Sequence, residues 1–255
     1  MTAPTTSASA PASPAARVSA QAKFEAGTLL RNGEQLLVSL IFPLLALFGL
    51  AFTSSPSLGS APRIDLAVPG VLALAIVSTA FTGQAISTGF DRRHGVLRYL
   101  GVTPLGRNGL LLGKGLAVLV VEVIQFVVIA GVGFALGWRP DAAGLVLAVP
   151  FWLVGSWTFV AMALQLAGTV RAEAVLAVAN LLWVLLLGVG GLVIPTSVLP
   201  AAVQPVADLL PSAALGDGLR AAMTGGGFDA VAFGVLVVWA VVMTVLTTRF
   251  FRWSD

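Results

Sequence analysis

Residues 115–137 read GLAVLVVEVIQFVVIAGVGFALG, set between Lys114 on one side and Trp138-Arg139 on the other. Glu122 and Gln125 are the only polar side chains in the stretch. A helix needs about 20 apolar residues to cross roughly 30 Å of hydrocarbon. In lipid the backbone must satisfy its own hydrogen bonds, which selects a helix over irregular chain. This stretch meets both demands, and five others resemble it. The expected spans run near 35–53, 66–89, 115–137, 144–168, 175–194 and 229–248. The second carries Ser78, Thr79, Thr82, Gln84 and Ser87, small polar groups that can bond to the preceding turn or to a neighbouring helix.

Composition agrees with lipid as the solvent. Of 255 residues, 58% are hydrophobic and 10% charged, against about 25% charged in an ordinary soluble domain. The mean hydropathy is +0.98. Cysteine is absent, which excludes disulfides, thiolate metal sites and thiol nucleophiles. A single histidine, His94, excludes a multi-histidine metal site. The net charge of +3 implies nothing about nucleic acid, because the basic residues fall at helix ends. Residues 1–23 are mostly Ala, Ser, Thr and Pro, without the apolar stretch of a signal peptide. They are expected to form a disordered, uncleaved cytoplasmic tail before a six-span domain at 24–255.

The Lys and Arg distribution sets the expected orientation. With both termini inside, the inner side holds Arg17, Lys23, Arg31, Arg92, Arg93, Arg98, Arg107, Lys114, Arg171, Arg249 and Arg252. The outer side holds Arg63, Arg139 and Arg220, a ratio of 11 to 3. Trp138 and Trp253 are expected at the headgroups.

Two segments are neither spans nor short turns, about 90–114 inside and about 195–228 outside, and long loops of that kind usually carry function. In the inner one, Arg92 to Leu100 suits a short helix with Val96, Leu97 and Leu100 as its apolar stripe. Gly101 is its expected stop and Thr103-Pro104 a turn. Such a helix lies in the membrane interface with its arginines on headgroups, or carries arginines that only mark the inner side, or docks a cytoplasmic partner. In the outer segment four prolines, Pro195, Pro200, Pro205 and Pro211, interrupt helix repeatedly. Residues 201–210 and 212–223 are each long enough for two or three turns. Within the spans, Glu122 is expected to be protonated, paired or facing water, with Gln125 on the same face. An interhelical hydrogen bond to Gln165 or Asn180 competes there with a role in binding cargo or a proton. Gly133-x-x-x-Gly137 permits close helix packing.

The inner segment resembles the intracellular loop of ABC-2 type exporter permeases, of the multidrug, daunorubicin-exporter-like kind. There an acidic-Arg pair, a Gly, a Leu, a Thr-Pro and a Lys frame a coupling helix that touches the ATPase. Asp91-Arg92, Gly95, Leu100, Thr103-Pro104 and Lys114 match, while Val96 and Arg98 depart from the pattern. Pro195, Pro200, Pro211 and Arg220 are similar to that family's two external re-entrant helices, and Leu30 to Gln35 to its N-terminal interfacial helix. The resemblance implies an all-α integral membrane fold with six transmembrane helices. It implies ATPase coupling through Asp91, Arg92, Arg93, His94, Gly95, Leu97, Arg98, Leu100, Thr103, Pro104 and Leu105. It also implies a second permease subunit, identical or related, in the cell membrane, and a separate ATPase that holds ATP and Mg. The cargo would be a drug, lipid or glycolipid moved outward, as in antibiotic-resistance exporters.

The stretch before the third span is not expected to bind ATP. Asn108 to Gly115 comes near a phosphate-binding loop, but Asn108 replaces the first Gly and Gly115 the final Ser/Thr. No nucleophile–base set or metal ligand set points to an enzyme, and no cofactor is expected on this chain. A proton-coupled secondary transporter using Glu122 and an assembly protein without transport are the alternatives.

Overall fold

The computed structural model describes residues 12–253, and among them the chain is helical with no strand. Eleven α-helices follow in order: α1 Pro14–Arg31, α2 Gly33–Phe52, α3 Arg63–Val77, α4 Gln84–Arg93, α5 Val96–Gly101, α6 Gly106–Ala135, α7 Ala142–Thr169, α8 Ala172–Val189, α9 Gln204–Ala207, α10 Pro211–Met223 and α11 Ala230–Phe250.

A π-helical turn, Ser78–Gly83, joins α3 to α4 into one rod from Arg63 to Arg93. This rod is the most buried of the long helices and forms the axis of the bundle. With α6, α7, α8 and α11 it makes five helices long and apolar enough to cross a membrane. The first expected span is α2, whose described apolar stretch, Ser39–Phe52, is shorter. Length and composition therefore single out five spans, where the sequence predicts six.

The N-terminus departs from expectation. Residues 1–11 lie outside the described residues, but from Pro14 onward the expected disordered tail is helix. Ser13 caps α1 by accepting from the Ala16 amide, and Pro14 occupies the first turn, where it costs no hydrogen bond. Gln21, Glu25 and Leu29 form an i, i+4, i+8 stripe buried against α6. Leu29 packs on Ala117 and Val121, while Gln21 lies over Gly113, where a β-carbon would collide with it. A polar, Ala-rich stretch is thus held in helical form by packing rather than by its own hydrophobicity.

Other boundaries shift for local reasons. Helix α6 begins at Gly106, eight residues before Lys114, so the inner connection shrinks from the expected 90–114 to 94–105. Trp138, expected at the headgroups, is fully buried. Gly137, with φ +100°, turns the chain back, and the Trp138 ring folds over Gly133. Gly133 also meets Val68 of α3, so of the Gly133–Gly137 pair only Gly133 serves helix packing. Trp253 lies against Gly101 and edge-on to Phe251.

In the proline-rich segment, 201–210 forms only the single turn of α9, with one 3-10 turn at Thr196–Val198. Helix α10 spans three turns and packs against α3, α7 and α11. There Gly218 admits the ring of Phe151, which clusters with Phe228 and Phe233 at 5.1 and 5.5 Å.

Candidate functional site

The Arg-rich connection is a short lever between two long helices. The last turn of α4 carries Asp91, Arg92 and Arg93, His94 caps it, and Gly95 breaks it with φ +76°. Left-handed backbone of this kind favours glycine. Helix α5 then runs only to Gly101, so the expected single helix from Arg92 to Leu100 is two pieces with a hinge at Gly95. Leu97 is fully buried and Leu100 half-buried, while Val96, expected on the same apolar stripe, is exposed. Arg93, His94, Arg98, Tyr99, Val102, Thr103 and Pro104 form the exposed face.

Arg92 does not belong to that face. It is buried, and its Nη1 donates to the carbonyls of Ala167 at 2.9 Å and Val170 at 3.0 Å. Those carbonyls lie where α7 ends and intrahelical donors run out, so a cation there satisfies them and complements the helix dipole. Arg107 does the same for α11, donating to Thr248 O at 2.9 Å. Arg17 of α1 donates to Pro104 O at 2.9 Å. Thr103 Oγ1 donates to Leu100 O at 2.7 Å and accepts from the Leu105 amide, closing the turn, while Leu105 packs over Gly109. Arg92 and Arg107 thus tie the two ends of the lever to α7 and α11, Arg17 of α1 holds its Pro104, and its outer face is exposed.

Lys114, counted in the sequence as a mark of the inner side, is fully buried. Its Nζ lies 2.9 Å from Glu25 Oε1 on α1 and 3.2 Å from Asp91 Oδ2 on α4. Gln21 Nε2 supports Glu25 at 2.8 Å. Glu25 and Gln21 are not among the residues that the sequence singles out. Their four-residue spacing with Leu29 was the available signal.

The polar residues inside the spans find partners, though not all those expected. Glu122 Oε2 accepts from Trp152 Nε1 at 2.7 Å and Ser156 Oγ at 2.5 Å, both on α7. Neither Gln165 nor Asn180 bonds to it. Gln165 lies nine residues beyond Ser156, about half a turn away on α7 at roughly 100° per residue. Asn180 is exposed on α8. Gln125 bonds Thr79 in the π turn at 2.9 Å and Ser39 O of α2 at 3.0 Å. Trp183 of α8 donates to Ser78 Oγ at 3.0 Å. The π turn therefore bonds to α6 and α8, and Gln125 of α6 carries the link on to α2, consistent with the frequent use of such turns at functional sites.

At the opposite end, Arg220 is the central pin. It is buried and donates to Gly191 O at 3.0 Å, to Leu192 O and to Asp217 Oδ1 at 2.6 Å. Asp217 Oδ2 in turn accepts from Thr196 Oγ1 at 2.7 Å. Gly191, at φ +68°, and Gly216 let the backbones approach. Pro195 opens the 3-10 turn and Pro211 opens α10, Pro200 lies between the 3-10 turn and α9, and Pro205 sits in the first turn of α9.

Two cavities adjoin these groups. One, of about 610 Å³, lies at the Arg220 end and is lined by Pro195, Thr196, Asp208, Asp217 and Asp229. The other, of about 640 Å³, lies between α1, α2, the axial rod and α8. Its wall holds Ser39, Ser78, Thr79, Thr82 and Asn180 beside Phe42, Ile86, Phe90 and Trp183, with Asp91 at the lever end. Among the described residues no group of three or more His, Asp or Glu could hold a metal ion.

The ABC-2 type transporter family model matches residues 18–224, from within α1 to just past α10. No curated protein matches the chain.

Proposed function

We infer from the ABC-2 type transporter family, to which the chain belongs, that it is the permease subunit of an ATP-driven exporter with six spans and both termini in the cytoplasm. Its membership makes it a multi-pass membrane transport subunit, of a kind that typically pairs with an ABC ATPase. In our reading the exposed face from Arg93 to Pro104 docks that ATPase, and a second permease subunit, identical or related, completes the transporter. Cargo is an amphiphile held in the 640 Å³ cavity, whose wall mixes apolar side chains with hydroxyl groups.

The observation that carries this is the anchoring of the lever. A push on a loose loop would dissipate in the loop. Here it would reach α7 through Arg92, α11 through Arg107 and α1 through Arg17. The permease itself breaks no bonds. It needs two conformations with different affinity for cargo, since equal affinity shifts nothing. The bonds from Trp152 and Ser156 give Glu122 a role in joining α6 to α7, which supports the interhelical reading over a proton site.

Affinity purification from native membranes tests the assignment. The expected product is a stoichiometric ATP-binding subunit with the wild type, lost in the double variant Arg93→Glu, Arg98→Glu. A permease that purifies without one, or that keeps it in the variant, contradicts the docking role.

A further inference from the structure

Helix α5 is bracketed by two left-handed glycines, Gly95 at φ +76° and Gly106 at φ +68°. A β-carbon at either would meet nothing within 4 Å, so both positions have room to turn. Arg92 and Arg107, the ties to α7 and α11, lie outside this pair of pivots and do not hold α5 itself. Between the pivots, Leu97 is the one fully buried side chain of α5 and seats its first turn. Arg17 reaches Pro104, beyond the end of α5. The last residue of α5, Gly101, is covered by Trp253. A β-carbon on Gly101 would stand 3.2 Å from the Trp253 ring, inside the roughly 3.5–4.0 Å of an optimal carbon contact.

Trp253 is itself held by the chain just before it. Phe251 is 1% exposed and lies over Gly168 in the last turn of α7, where a β-carbon would collide with its ring. The Arg252 amide donates to Gly168 O at 3.1 Å, one of the carbonyls that α7 leaves without an intrahelical donor. Phe251 and Trp253 meet edge-on, with ring centroids 5.3 Å apart. Thr247 Oγ1 donates to Ala161 O at 2.8 Å and pins the last turn of α11 to α7. Residues 251–253 thus run from the joined ends of α7 and α11 onto the last residue of α5. They lie beyond residue 224, where the family match ends.

We propose that residues 251–253 are a strap across the lever, and that Trp253 is the positioning residue that makes α5 move with α7 and α11 instead of pivoting alone at Gly95 and Gly106. This rests on the exporter reading for the view that the force on α5 comes from an ATPase. Docking and transmission then fall to different residues. Arg93 and Arg98 on the exposed face hold the partner, and Trp253 passes its movement into the bundle.

Limited tryptic cleavage of the full chain in micelles tests the positioning. Arg98 lies inside the pivots and Arg93 outside them, both exposed, so Arg93 is the internal control. Trp253→Ala should quicken cleavage at Arg98 about tenfold relative to Arg93, and Trp253→Phe should restore most of the protection. Gly101→Val, which displaces the ring, should give the same increase and add little in the Trp253→Ala background. An unchanged ratio in Trp253→Ala, or equal quickening at both sites, overturns the proposal. The complex purified with its ATP-binding subunit tests transmission, through thiol labelling of Val193→Cys, 9% exposed near the Arg220 pin. ATP should alter the labelling rate several-fold when Trp253 is present. With Trp253→Ala the subunit should stay bound and the response to ATP should be lost. A Trp253→Ala complex that responds as fully as one with Trp253 overturns the strap as a route of transmission. If no ATP-binding subunit co-purifies with the wild type, the exporter reading falls, and the cleavage ratio still decides the positioning.

Discussion

Replacing Lys114 with Met removes the one cation between Glu25 and Asp91 and leaves a shape of similar length. Asp91, with 29% of its side chain exposed, can regain water. Glu25, at 8%, cannot, and keeps only the Gln21 amide. Removing one partner of a buried pair costs about 3–5 kcal/mol, because the other charge is left uncompensated. Partial solvation of Asp91 places the expected loss at the lower end, about 3 kcal/mol. The loss should appear first as release of α1, whose buried stripe is Gln21, Glu25 and Leu29. Reversible unfolding in mixed micelles gives the energy, and protection of α1 against amide exchange gives the location. The double variant Lys114→Met, Glu25→Met should recover most of the loss, since an apolar pair in place of a buried ion pair is often neutral. A single variant within about 0.5 kcal/mol of wild type, or a double variant worse than the single, refutes the reasoning.

Further perturbations follow from the other sites. Glu122→Leu strands Trp152 and Ser156 on α7, and a loss of about 1–2 kcal/mol is expected, with Glu122→Gln milder; unchanged unfolding would argue that neither bond contributes. Arg220→Ala uncaps the Gly191 and Leu192 carbonyls. The chain has no cysteine of its own, so Val193→Cys in that background, at a position only 9% exposed beside the pinned Leu192 carbonyl, reports directly. Thiol labelling there should speed up several-fold, and an unaltered rate counts against Arg220 as the pin. Gly95→Ala forces a β-carbon into left-handed backbone at a cost of roughly 1–2 kcal/mol, although nothing crowds the site. Tryptic cleavage at Arg93 and Arg98 should quicken, and unchanged cleavage would mean that the hinge tolerates the residue.

Much of the helical frame is legible in the sequence, because lipid imposes a single strong requirement on each apolar run. The run at 115–137 became the greater part of α6, and the polar residues flagged near 78 and 79 became the π turn and its hydrogen bonds. Packing between distant residues was not legible. Glu25 and Lys114 meet only because α1 folds back along α6, a contact that α1's weak hydrophobicity does not announce. Arg92 looks like its exposed neighbour Arg93 in the sequence, yet it turns inward to the unsatisfied carbonyls at the end of α7. The sequence offers amides as partners for Glu122, whereas an indole and a hydroxyl four residues apart on α7 supply the donors. The general preference of Trp for interfaces puts Trp138 at the headgroups, and the turn at Gly137, with its positive φ, overrides that preference.

Site-directed cross-linking at the lever tests the central claim most directly. Cysteine is placed singly at Tyr99 or Val102, 77% and 85% exposed on the Arg-rich end, or at Val198 in the proline-rich segment. The account predicts that Tyr99→Cys and Val102→Cys join the chain to an ATP-binding subunit in native membranes, and that Val198→Cys does not. Cross-links from Val198→Cys, or none from either lever position, would contradict it.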